Sequence, residues 1–109
     1  MRTCTELEVN ARLLERMART LRLLANPDRL RILLSLSGDE RNVGTLARQT
    51  KLSSSRASQH LALLRAHGVV RDRRVGRRVY YRLMRPALAR WLRDSFDQGA
   101  LEPTEGERH

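Results

Sequence analysis

Hydrophobic positions near the start of the chain recur at intervals of three and four residues, which is the spacing of one face of an α-helix. They are, in chain order, Val9, Leu13, Met17, Leu21 and Leu24. A second helix is predicted to begin directly afterwards, with Asn26 as its N-cap, Pro27 at the first helical position and Asp28 in the first turn. Because it is apolar almost all round until Gly38 ends it, we expect this helix to be the central buried one.

The middle of the chain predicts two shorter helices joined by a turn. Residues 39–41 are polar and predict an exposed link, after which Asn42 caps a short third helix. A fourth helix follows the turn and ends at Gly68, and either Ser53 or Ser54 is placed to cap it. Two short helices with a tight turn between them are what a helix-turn-helix requires.

A stretch rich in Val and Tyr predicts a β-hairpin after the fourth helix. Its strands are residues 69–74 and 77–83, joined at Val75-Gly76. Pro86 then opens a final helix with one apolar stripe. The members of that stripe are Leu88, Trp91, Leu92, Ser95 and Phe96. The predicted fold is mainly α with a small β-hairpin wing, in the order of four helices, two strands and a fifth helix, which is a winged helix-turn-helix.

The distribution of charge indicates a polyanionic partner. The 109-residue chain has a formal net charge of +10, and between Arg48 and Arg93 thirteen basic residues accompany a single acidic one, Asp72. A solvated surface of mixed charge is the alternative, but it would not concentrate one sign in this way. Acidic residues collect instead near the C-terminus, so we expect one domain over residues 1–98 and an acidic flexible tail over residues 99–109.

Several other classes of protein are disfavoured. No apolar run approaches the roughly 20 residues that a membrane span needs, and no signal peptide opens the chain. A single cysteine, Cys4, favours a reducing cytoplasm. No nucleophile–base pair, phosphate-binding loop or carboxylate dyad points to an enzyme. The main alternative to a sequence-specific DNA-binding protein is a nonspecific nucleoid or RNA-binding protein.

The fourth helix and the hairpin carry the residues that we expect to contact double-stranded DNA. On the helix, side chains on the outer surface are small, polar or basic, which suits the reading of base edges in the major groove. These predicted base-reading residues are Ser54, Ser55, Arg56, Ser58 and Gln59. Four hairpin residues can hold the phosphate backbone or enter the minor groove, and they are Arg73, Arg74, Arg77 and Arg78. Each set has a simpler explanation, since serines can merely cap a helix and arginines can protect a strand edge.

Three stretches of the sequence resemble the ArsR/SmtB family of small bacterial metal- and stress-responsive repressors. The family's second helix is similar to LRLLANPDRLRILLSL, its helix-turn-helix to LARQTKLSSSRASQHLALLRAHGVV and its wing to GRRVYYRL. Two positions depart from the usual pattern, because Lys51 stands where a turn glycine is common and Ala57 where a β-branched residue is common.

This resemblance implies a repressor that binds an inverted-repeat operator as a homodimer, with the first and last helices forming the interface. The apolar stripes of those two helices are what such an interface needs, although packing within one subunit is the alternative. The predicted interface residues are Val9, Leu13, Met17, Leu88, Trp91, Leu92 and Phe96.

Members of the family often release DNA when a metal ion binds, but their usual ligands are mostly missing here. The family's Cys-x-Cys pair is replaced by Asn42 and Gly44, and two-cysteine sites are excluded within one subunit. The scattered donors that remain are Cys4, His60, His67, Asp94, Asp97 and His109. Of these, His60 is expected to be packed or hydrogen-bonded, whereas Cys4 can meet His67 or an acidic residue of the last helix across a dimer interface. Such a site would suit nickel or zinc, and a repressor that answers to another signal, or to none, is the alternative.

Overall fold

Five helices and three short strands make up residues 10–97, the part of the chain that the computed structural model describes. The helices are α1 (Ala11–Leu24), α2 (Pro27–Ser35), α3 (Val43–Thr50), α4 (Ser54–Ala66) and α5 (Pro86–Asp97). The strands are β1 (Arg41–Asn42), β2 (Val70–Val75) and β3 (Arg78–Leu83). The predicted mainly α fold with a β wing is confirmed. None of the helices in this range is long and apolar enough to cross a membrane.

The start of α2 follows the sequence prediction, whereas its end does not. The Oδ1 atom of Asn26 accepts hydrogen bonds from the backbone N–H groups of Asp28 at 2.9 Å and Arg29 at 3.2 Å. An asparagine cap of this kind contributes about 1 kcal/mol to helix stability. The helix ends at Ser35 rather than at Gly38, in a tightened final turn where the N–H of Leu36 donates to the carbonyl groups of Ile32 and Leu33, each at 3.1 Å.

The strands form an antiparallel sheet in the order β1-β3-β2. The prediction of an exposed link over residues 39–41 is wrong at its end, because Arg41 and Asn42 pair with Tyr81 and Tyr80 of β3. This pairing gives the outer edge of β3 its hydrogen-bond partners. A strand of two residues is too short to show the alternation from which strands are predicted. The wing is therefore a three-stranded sheet rather than a hairpin alone.

The core is centred on α2, as the sequence predicts. The largest fully buried side chains come from α2, α3, α4 and β2, and they are Ile32, Leu33, Leu46, Leu61, Leu64 and Val70. Burying side chains of this size stabilises the fold by about 1.5–3 kcal/mol each. On β3, Tyr81 and Leu83 face the same core while Arg82 is exposed, which is the alternation of a strand with one buried face. The core therefore supports the inner faces of both α4 and the wing.

Candidate nucleic-acid interface

One side of α4 is buried and the other is open. Ala57, Leu61 and Leu64 have no exposed surface. Every residue that the sequence predicts to read bases lies on the exposed side of the helix, and these residues are Ser54, Ser55, Arg56, Ser58 and Gln59. The structure therefore brings the five predicted residues together on one open surface, which we call the reading face.

The turn before α4 fixes where the reading face begins. Of the two candidate serines, Ser53 is the cap, since its Oγ accepts a hydrogen bond from the N–H of Arg56 at 3.1 Å. Lys51 closes the turn in the left-handed region, with a φ of 60°. This conformation costs a residue with a side chain about 1–2 kcal/mol, so glycine would suit the position. Thr50 supports the turn from inside, because its buried Oγ1 donates to the carbonyl of Leu46 at 2.6 Å.

Three arginines at the tip of the wing have no acidic partner within the described part of the chain. Gly76, with a φ of 62°, provides the turn between β2 and β3. Around it, Arg74, Arg77 and Arg78 are exposed, and none of them has an ion-pair partner among the residues that the structure describes. Free guanidinium groups can bind two phosphate oxygens at once. We call this set the wing-tip arginines.

Arg73 is one of the residues predicted to contact the DNA backbone, but in the structure it forms an ion pair with Glu40. Its Nε and Nη2 atoms donate to the two carboxylate oxygens of Glu40, at 3.1 and 2.6 Å. The guanidinium also lies over the ring of Tyr80, 5.8 Å from its centroid. The hydrogen bond from Arg73 holds the pKa of Glu40 below its ordinary value. Arg73 therefore braces the wing against the segment before β1, and no sequence signal links two residues 33 positions apart.

An open cleft of about 560 Å³ separates the start of α3 from the wing tip. Its lining contains three arginines and no acidic side chain, and consists of Asn42, Val43, Gly44, Thr45, Arg48, Arg77, Arg78 and Val79. The sequence pattern does not single out Arg48, although its place at the start of the basic stretch is a signal that could have done so. Its Nη2 atom donates to Oγ1 of Thr45 at 3.3 Å, which orients the guanidinium at the cleft.

His60 is packed on the side of α4 between the reading face and the core. Its side chain is 12% exposed, and its Nδ1 accepts a hydrogen bond from Nε of Arg29 at 3.3 Å. Burial, followed by the charge of Arg29, lowers the pKa of His60 below the ordinary value of 6.5. A packed, hydrogen-bonded role therefore describes His60 better than that of a metal ligand.

The predicted dimer residues divide between the surface and the core. Leu13, Met17 and Trp91 are exposed by 44%, 51% and 55%. In contrast, Leu92 is buried within the chain and Leu88 packs against the core. For these two residues the intramolecular alternative describes the structure better. Val9 and the side chain of Phe96 lie outside what the structure describes. The apolar residues that remain available for a dimer interface are the exposed ones of α1, which include Leu14 and Leu21, and Trp91 of α5.

The described residues do not assemble a metal site. Over residues 10–97, no three His, Cys, Asp or Glu side chains are grouped closely enough to hold an ion. Nδ1 of His67 lies 3.1 Å from the carbonyl oxygen of Leu63 at the end of α4, and Asp94 and Asp97 are exposed on α5. The other predicted donors, Cys4 and His109, lie outside the described range. Because a structural or regulatory nickel or zinc site needs several converging ligands, the described residues alone do not fit such an ion.

Comparisons with known proteins converge on one family. The model described as "Bacterial regulatory protein, arsR family" matches residues 26–72. Nodulation protein NolR of Rhizobium meliloti is 42% identical over 84 residues, which are 77% of this chain and 64% of that protein. The transcriptional repressor SmtB homolog of Synechocystis is 44% identical over 69 residues, 63% of this chain and 52% of that protein. The chain thus spans less than two thirds of the length of either relative.

A solved structure shows the same fold over nearly the whole chain. It is the solution NMR structure of a homodimeric winged helix-turn-helix DNA-binding domain from Mycobacterium bovis. The two share 36% sequence identity and superpose with a TM-score of 0.73, and the match covers 92% of each chain.

Proposed function

Because the chain belongs to the ArsR family of bacterial regulatory proteins, we propose that it is a transcriptional repressor that binds a DNA operator as a homodimer. The family consists of regulators of transcription and not of enzymes. The observation that carries the proposal is the juxtaposition of an open, polar reading face on α4 with wing-tip arginines that have no described ion-pair partner. A DNA-bound regulator of this kind acts in the cytoplasm.

The two surfaces would make different contacts with a duplex. We assign α4 to the major groove, where Gln59 pairs with adenine and Arg56 with guanine, while the serines reach base edges or phosphates. Arg77 and its neighbours at the wing tip hold the backbone or the adjacent minor groove. Arg48 joins Arg77 and Arg78 of the wing tip in the cleft that α3 borders.

The homodimer is supported by the exposed apolar side chains of α1 and by Trp91 of α5. A patch of large, solvent-exposed apolar side chains on a small protein indicates an interaction surface. Tryptophan is often among the residues that contribute most to binding at such surfaces. The similar structure from M. bovis is described as homodimeric. A twofold dimer would read an inverted repeat whose half-sites lie about one turn of DNA apart.

Selection of duplexes from a randomised library tests the proposed function. We expect the enriched sequences to contain an inverted repeat with half-site centres about 10 base pairs apart. Sedimentation of the protein with one enriched duplex should give two chains per duplex. A library that stays random after repeated rounds would favour the alternative of a nonspecific nucleic-acid-binding protein.

A response to nickel or zinc is a separate proposal, since it needs donors beyond those described. Cys4 would have to join His67 or an acidic residue of α5 across the dimer. Elemental analysis and a metal titration of operator binding distinguish this from a metal-independent repressor. Bound metal together with a metal-dependent change in affinity supports the sensor, and Cys4→Ser should abolish both. Absence of bound metal and of any change in affinity favours the metal-independent repressor.

A further inference from the structure

The carboxylate of Asp28 reaches from the first turn of α2 to the recognition helix α4. Its Oδ2 atom lies 4.0 Å from Nη2 of Arg56 and 3.9 Å from Nε2 of His60. Arg56 and His60 are four positions apart, so they lie on the same side of α4. Within the described range, Asp28 is the one acidic residue that lies within ion-pair distance of Arg56. Arg56, the charged residue of the reading face, is therefore within ion-pair distance of one described carboxylate, that of Asp28.

Asp28 is held in place independently of α4. Its backbone N–H donates to the Asn26 cap at 2.9 Å, and α2 is the central helix of the core. The other carboxylate oxygen, Oδ1, accepts a hydrogen bond from Nη1 of Arg31 at 3.1 Å. The backbone of Asp28 is therefore fixed by α2 and its cap, and its carboxylate already has a partner on its own helix when Arg56 approaches it.

His60 supports the same contact through its neutral form. Since Nε of Arg29 donates to Nδ1 of His60, Nδ1 is the acceptor and the ring proton lies on Nε2. Nε2 is the atom that faces Asp28. Arg29 also donates from Nη1 to the carbonyl of Leu23 at 2.9 Å. The side of α4 that carries Arg56 is thus tied both to the start of α2 and to the end of α1.

We propose that Asp28 is a positioning residue for Arg56 and thereby sets how strongly the recognition helix discriminates between base sequences. The inference rests on the proposed function. Held toward Asp28, the guanidinium is presented in one orientation, from which its remaining N–H groups can contact a guanine in the major groove. To bind a phosphate of unrelated DNA, the same group must leave the carboxylate. Asp28 therefore lowers the affinity for nonspecific DNA more than the affinity for the operator.

The test measures dissociation constants of the full chain for two duplexes, one enriched by the protein from a randomised library and the other a shuffled version of it. Asp28→Asn keeps the shape of the side chain and removes its charge. We expect the ratio of the two dissociation constants to shrink by about two- to fivefold, the range of a screened ion pair. The shrinkage should come from tighter binding to the shuffled duplex. An unchanged ratio overturns the proposal.

Asp72→Asn is the matched control for charge. Asp72 also pairs with an arginine of α4, with its Oδ2 3.1 Å from Nη1 of Arg65, but it lies on β2, outside the reading face. This variant should strengthen binding to both duplexes equally and leave their ratio unchanged. A ratio that shrinks as much as in Asp28→Asn would assign the effect to net charge and overturn the positioning role.

A double variant separates positioning from a general effect on the fold. In an Arg56→Ala background, Asp28→Asn should no longer change the ratio, because the group that it positions is gone. A change of equal size in that background contradicts the proposal. If circular dichroism shows that Asp28→Asn does not fold, Asp28→Ser provides the same test with another residue that is tolerated at the start of a helix.

Measurements on the wild-type chain distinguish a failure of the proposed function from a failure of the positioning role of Asp28. Equal binding to the enriched and shuffled duplexes would remove the proposed function and this inference with it. A wild-type preference that Asp28→Asn leaves intact would overturn the inference alone.

Discussion

The reading face of α4 and the tip of the wing are assigned to the same polyanion, yet they are built in opposite ways. The reading face begins at a capped turn and rests on three side chains with no exposed surface, and its arginine lies within ion-pair distance of a carboxylate on the core helix α2. The wing-tip arginines are exposed and have no ion-pair partner among the described residues. Base edges differ in the positions of donors and acceptors, whereas phosphates present the same charge at every step. Fixed geometry is needed for the first task, and free charge is enough for the second.

Removing the support of the reading face should have the largest effect. Leu61 is fully buried beneath it, so Leu61→Ala should lower the free energy of unfolding by about 2–5 kcal/mol. Urea denaturation followed by circular dichroism measures this loss. Leu63→Ala is the control on the same helix, because Leu63 is 37% exposed and its truncation should cost less than about 1 kcal/mol. Equal losses in the two variants would mean that α4 does not bury the face that the structure shows.

The next effect concerns base reading alone. Gln59→Ala removes an exposed amide that supports no described contact, so the stability of the fold should not change. Discrimination between the operator and a variant with one substituted adenine should fall by about 1–3 kcal/mol. Binding to shuffled DNA, measured by fluorescence anisotropy, should be unaffected. Unchanged discrimination would remove Gln59 from the reading role.

Substitutions at the wing are expected to change DNA affinity less, and by the same amount for every DNA sequence. Arg77→Ala should weaken binding to operator and shuffled duplexes alike and lower the slope of log affinity against log salt by about one unit. Arg73→Ala is the informative comparison, since Arg73 is bound to Glu40, and its loss should change the slope much less. Equal changes in slope for the two variants would show that Arg73 leaves Glu40 to hold DNA.

The smallest effect is a dependence of stability on pH. Burial lowers the pKa of His60, so below the ordinary value of 6.5 the unfolded chain takes up this proton more readily than the folded chain. The contribution of neutral His60 to stability is therefore complete above that pH and is lost as the pH falls below it. Urea denaturation of the wild type and of His60→Gln at pH 7.5 and pH 5.5 isolates this contribution, since other groups titrate in both proteins. Identical losses in the two proteins would contradict it.

Features encoded by neighbouring residues are the ones that the sequence predicts well. The Asn26 cap is confirmed in its place because capping depends on residues two and three positions away. The outward position of the reading face follows from the helical spacing of Ala57, Leu61 and Leu64, which are buried on the opposite side of α4.

Features that join distant parts of the chain are the ones that sequence reasoning does not find. Pairing of β1 with β3 and the bond between Glu40 and Arg73 bring together residues that no local pattern connects. The contact of Asp28 with Arg56 is of the same kind. The burial of Leu92 within the chain could not be predicted from the apolar stripe on α5, since one apolar face can pack within a subunit or against a partner. These long-range contacts decide which predicted arginines are free to meet DNA.

The most direct test of the account compares the affinity of the wild-type chain for an enriched duplex and for its shuffled version at two salt concentrations. We predict that the enriched duplex binds at least about a thousandfold more tightly. Both affinities should fall as salt rises, because the wing holds phosphates, and the preference should persist at the higher salt. A ratio near one at both salt concentrations would contradict sequence-specific recognition by α4 and leave only a nonspecific, charge-driven association.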